Sequence, residues 1–115
     1  MNNKLKIDKQ HIINGTPNQI NACPIAIALN EWLQENEKAE VSTSYTVITI
    51  SNSDPEYLDD LITLWHDKKL ANWIENYDSK CSAPTIHIEI DEKFENIKLV
   101  RSNTKLYHSK HKRKD

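Results

Sequence analysis

A chain of 115 residues with 37% hydrophobic residues and a net charge of −2 fits one soluble domain with a single core. Its one glycine, Gly15, excludes phosphate-cradling loops, dinucleotide fingerprints and nucleophile elbows, which need several glycines where backbone takes φ > 0 or closes on a ligand. Two cysteines exclude a disulfide framework and a four-thiolate zinc site, and the longest apolar run, 25–29, is far shorter than the roughly 20 residues of a membrane span.

In chain order, Lys4 to Ile7 alternates and predicts a first strand. Asp8 then caps a single helical turn, and Gly15 in the turn Asn14-Gly15-Thr16-Pro17 is expected to take a positive φ. Pro24 suits a first helical position, and Ile25, Ala28, Leu29, Trp32 and Leu33 share one face, which predicts a helix over 24–36. The Val, Ile, Thr and Tyr of 41–51 predict one strand, followed by a loop. Residues 56–66 read either as helix or as strand, with the strand placed at 60–65. Asp67 caps a helix over 68–78 whose apolar face is Leu70, Trp73, Ile74 and Tyr77. Pro84 to Ile90 is a final alternating strand, while Leu99, Val100, Leu106 and Tyr107 extend a strand or a helix beyond it.

The resulting order, β-α-β-β-α-β, predicts an α+β fold of the ferredoxin-like split type, with two helices on one face of an antiparallel sheet. The division expected is an α+β domain over 1–95 and a basic, partly disordered tail over 96–115. Charge marks the same boundary. Residues 1–95 carry eight lysines against sixteen acids, and 96–115 carry seven basic residues against Asp115 alone. The start of the chain has no apolar core of a signal peptide, so a cytoplasmic setting with reduced thiols is expected.

The stretch Ile12-Ile13-Asn14-Gly15, followed by Cys23-Pro24-Ile25-Ala26-Ile27-Ala28-Leu29, resembles a group of short, uncharacterised bacteriophage and bacterial proteins. The later Trp73-Ile74-Glu75-Asn76-Tyr77-Asp78 resembles the same group, so the likeness covers about residues 7–90. It implies a setting, a small accessory protein that is virus-encoded, and no activity.

Cys23 lies beside a helix N-terminus, where amides can lower a thiol pKa, yet a small buried residue closing the turn explains it equally. His66, His87 and Glu89 lack the spacing of a metal site, and no cofactor is expected. Acidic residues cluster at Asp54, Glu56, Asp59 and Asp60, a face suited to a basic protein partner. Lys105, Tyr107, Lys110, Lys112, Arg113 and Lys114 form a basic segment with one aromatic, suited to a polyanion such as nucleic acid. The function expected is a non-enzymatic protein-interaction module directed at an unidentified protein. Nucleic-acid binding through the tail is the alternative. No membrane partner is expected.

Overall fold

The computed structural model describes residues 3–111. It is α+β with nine elements, β1 (Lys4–Ile7), α1 (Lys9–Asn14), α2 (Pro24–Trp32), β2 (Glu37–Val41), β3 (Tyr45–Ile50), β4 (Asp60–His66), α3 (Lys68–Lys80), β5 (Ser82–Ile90) and β6 (Asn96–His108). The six strands form one sheet in the order β1-β5-β6-β4-β3-β2. All pairs are antiparallel except β4 with β6, which run parallel. Helix α2 packs against both β1 and β2, the two ends of that order, so the sheet curls around it. The ferredoxin-like order is therefore not matched. The fold holds two strands and one helix more, and its sheet is mixed.

Each departure has a local cause. Helix α2 stops at Trp32, before residue 36, because Leu33 leaves the helical region and Gln34 and Glu37 close a turn through reciprocal contacts. Glu37 then opens β2, whose Ala39 and Val41 face inward. The single strand expected over 41–51 is in fact a hairpin, turned at 42–44 where the Ser42 N–H donates to the Tyr45 carbonyl. Residues 60–66 are strand, with Leu64 fully buried and Trp65 pointing out. Residues 96–108, set apart above with the tail, form the strand that joins the two halves of the sheet.

The helix starts follow their caps. Asp8 accepts from the Lys9 N–H, and the His11 imidazole closes a capping box by accepting from the Asp8 N–H at 2.9 Å. Since Nδ1 of His11 accepts, Nε2 carries the proton and donates to Glu31 at 2.6 Å. Asp67 caps α3, accepting from the Leu70 N–H at 3.0 Å, and also accepts from the Leu99 N–H at 3.2 Å, which ties the helix start to β6. Gly15 does not take a positive φ; its φ is −71°. It is needed for closeness, because a Cβ there would sit 2.7 Å from the His11 carbonyl oxygen and 2.8 Å from the Pro24 ring.

The core is built on Ile7, Ile12, Ile25, Leu29, Ile48, Leu64, Leu70, Tyr77, Ile86, Ile88, Ile90 and Ile97, which join helices and sheet in one cluster. Both ends of the sheet are covered. The Asn30 amide pairs with the Ala39 main chain like a strand neighbour, and the Val41 N–H donates to the Ile20 carbonyl. At the other end β1 is four residues long and lies against α2. The strand over 84–90 is no edge; it runs between β1 and β6.

Candidate interaction surface

A strand presents alternate residues to the two sides of its sheet, and β3 and β4 do so. Their inner residues, Thr46, Ile48 and Leu64, are buried. The outer residues meet across the ladder, Tyr45 opposite Trp65, Val47 opposite Thr63 and Thr49 opposite Leu61. The Tyr45 and Trp65 rings are tilted by 56° with centroids 5.7 Å apart, the edge-inclined contact that aromatic quadrupoles favour. Trp65 nevertheless keeps 57% of its surface exposed, and Leu61 keeps 67%. The loop 51–59, which closes this hairpin, adds Tyr57 and the almost fully exposed Leu58.

Acidic turns flank these apolar groups. Asp54, Glu56, Asp59 and Asp60 are all exposed in or beside the 51–59 loop. Two of them shape it: Asp54 accepts from the Glu56 N–H at 3.0 Å, and Asp59 accepts from the Asn52 N–H at 3.1 Å. Glu56 and Asp60 are left to face outward. On the other flank lies the β5–β6 turn with Asp91, Glu92 and Glu95, held to β4 by the Trp65 N–H on the Glu95 carbonyl at 2.8 Å. The Asn96 amide and the Glu95 N–H hold the Asp91 carboxyl below its ordinary range. The acidic face read from the sequence is thus one border of an aromatic and aliphatic stripe. The signal for that stripe was the alternation Leu61, Thr63, Trp65, hidden because Leu58, Leu61, Ile62 and Trp65 also fit helical spacing.

The basic candidates scatter. Lys105 and Tyr107 lie on β6, with the ammonium 5.3 Å from the ring centroid, and Tyr107 packs on the core edge opposite Ala83. Tyr107 is therefore already covered on one side by a protein cation. Lys110 follows, its N–H donating to the Ile13 carbonyl. Lys112, Arg113 and Lys114 lie outside the described residues.

Cys23 and His66 have structural partners. Cys23 caps α2, its Sγ accepting from the Ala26 N–H at 3.5 Å, and burial pushes the thiol up to about 11 against the helix amides that would lower it. The cavity of about 260 Å³ that touches Cys23 is lined by Asn18, Ile20, Val41, Thr43, Asp78 and neighbours, with no histidine among them. His66 lies between the Thr43 carbonyl, 2.9 Å from Nδ1, and the Thr46 hydroxyl, 2.7 Å from Nε2. The carbonyl can only accept, so Nδ1 carries a proton, and burial lowers the pKa of the ring. His87 and Glu89 point outward from β5, beside Lys6 and Arg101 and beside Lys4 and Lys98 respectively. Among the described residues no cluster of three or more His, Cys, Asp or Glu is placed to hold a metal ion, and no helix is long and apolar enough to cross a membrane.

Compared with protein-family models, curated proteins and solved structures, the chain shows no significant match.

Proposed function

We propose that this chain is a non-enzymatic protein-binding module whose docking surface is the outer face of β3 and β4 together with the 51–59 loop. The observation that carries the reading is the exposure of Leu61 and Trp65 between two acidic turns, with Leu58 exposed in one of those turns. Large apolar side chains contiguous at the surface mark interaction sites, and aromatic residues dominate binding energy at their centres. The carboxylates would speed the approach of a partner with a basic rim and would repel polyanions. The resemblance of the 12–29 and 73–78 segments to small phage proteins supports an accessory role directed at a host or defence protein.

Affinity capture with the full chain and with Trp65→Ala/Leu61→Ser tests this. Both side chains are outward, so the variant keeps its fold while recovery of the partner drops by at least about tenfold. Equal recovery by a folded variant would remove the surface from consideration. Glu56→Lys/Asp60→Lys should slow association and weaken its salt dependence.

The second reading, polyanion binding by the C-terminal basic residues, draws on Lys98, Arg101 and Lys105 lying exposed along β6 ahead of Lys110. It predicts retention on heparin or DNA that falls steeply with salt. The comparison must be made with a chain ending at residue 110 or 111, because Ser109 is buried and a cut at 104 would remove part of β6.

A further inference from the structure

Among the described residues, the part of strand β6 past Leu99 has a strand neighbour on one flank only. On the side away from β5, β6 pairs with β4 at Asn96 and Ile97, after which the Ile97 carbonyl and the Leu99 N–H are both taken by Asp67. From Val100 onward no described strand lies against that flank. The register with β5 slips twice, between Pro84 and Ile86 and between His87 and Ile88, so 103–105 and Val100 fall out of step and Arg101 and Ser102 are the paired residues between the two irregularities. The first slip falls next to Pro84, which has no N–H to give to the ladder.

Beside this flank runs a groove of about 370 Å³ between α3 and the inner side of β5 and β6. Trp73, Leu99 and Leu106 form its apolar lining, and Lys69 and Lys80 stand along α3. Among the described residues its lining holds no carboxylate, in a chain whose first 95 residues are strongly acidic. Trp73 is fixed in place by its Nε1–H on the Pro84 carbonyl at 3.0 Å.

We propose that the 100–102 flank of β6 receives an extended, acidic segment of another protein by strand addition. The main chain of that segment continues the sheet, an apolar side chain enters the groove between Trp73 and Leu106, carboxylates on the segment's other face meet Arg101, and Lys69 and Lys80 favour its negative charge through their field. Charge selects this occupant. Two copies of the present chain paired through β6 would bring Lys98, Arg101 and Lys105 of each against those of the other, which opposes self-pairing. Strand addition draws affinity from main-chain bonds and specificity from alternate side chains, which is the division of labour this edge and groove provide. The proposal uses residues apart from the β3–β4 surface and stands without it.

The test is a titration of the full-length, isotope-labelled chain with a short capped peptide alternating glutamate and valine, read by amide shifts and hydrogen exchange. Expected is saturable binding in which the amides of 100–102 gain protection and Lys69, Asn72 and Asn76 shift. Lys69→Glu/Lys80→Glu, both exposed positions, should weaken it about tenfold; if that variant does not fold, Arg101→Glu serves the same purpose. The same peptide with N-methylated valines should not bind. The proposal fails if the peptide does not bind, if an alternating lysine and valine peptide binds equally, or if the N-methylated peptide binds equally. It also fails if only an oligothymidylate binds, which would make this a polyanion site, or if the 100–102 amides become protected by self-association without peptide.

Discussion

The Ser109 hydroxyl donates to the Gly15 carbonyl oxygen at 2.6 Å, joining residues 94 positions apart. The Tyr77 hydroxyl lies 2.9 Å from the same oxygen and 2.9 Å from the Ile12 carbonyl oxygen, so its one proton is shared between them. The end of β6, the last turn of α3 and the loop after α1 therefore meet at one buried polar knot.

Tyr77→Phe leaves the Ile12 carbonyl without its buried donor and should cost about 1–2 kcal/mol in chemical denaturation. Ser109→Ala should cost about 1 kcal/mol, because Tyr77 still reaches Gly15. The double variant should lose more than the two together, since only then is the Gly15 carbonyl orphaned. Strict additivity would mean that the two hydroxyls act separately.

Gly15→Ala places a methyl group against main chain and the Pro24 ring, neither of which can swing away. Such overpacking costs about 1–3 kcal/mol. A neutral result would show that the turn opens freely there. Asn18, whose φ is 62°, is the position in this loop where glycine would relieve the backbone.

Stability should fall on both sides of neutrality. His66 has its pKa lowered by folding, so the unfolded chain binds its proton more readily and stability drops as the pH falls below 6.5. Cys23 and Tyr77 are raised from 9.0 to about 11 and from 10.0 to about 12, so the unfolded chain ionises first and stability drops as the pH rises past 9. Unfolding free energies across pH check both arms. His66→Gln should flatten the acid arm, and a slope unchanged by that variant would assign it to other groups.

Alkylation separates the two cysteines. Cys23 is buried with its thiolate disfavoured and should react with iodoacetamide only on unfolding, while the half-exposed Cys81 reacts in the native state. Cys81 also closes α3 in the left-handed region, at φ 57°, where a side chain costs about 1 kcal/mol. Cys81→Gly should raise stability by about 0.5–1 kcal/mol, and a loss would show that its partly buried sulfur packs usefully.

Short-range signals carried much of the fold. Pro24 and Asp67 announce two helices, Asp8 announces the helical turn that becomes α1, and the alternations at Lys4 to Ile7 and Pro84 to Ile90 announce two strands. What escaped had no such signal. Strand β2 is Glu-Lys-Ala-Glu-Val, in which only the small Ala39 and Val41 face the core. In β6 only Ile97 is buried, and the bulges break whatever alternation remains. The parallel pairing of β4 with β6 is a relation between distant segments, invisible to any window of sequence. The surface was half legible for the same reason. Its carboxylates show in composition, while the outward turn of Leu61 and Trp65 depends on which neighbour β4 finds.

The placement of β6 between β5 and β4 has a consequence for how the chain is made. During synthesis β4, β3 and β2 can pair as they emerge, but β1 must wait for β5, and the two groups stay unconnected until β6 leaves the ribosome. The nascent chain therefore holds an open sheet edge on each side of the missing strand, the state most exposed to wrong partners. With its seams closed only by residues near 100, the fold has many contacts between remote positions and should form slowly, in one late step.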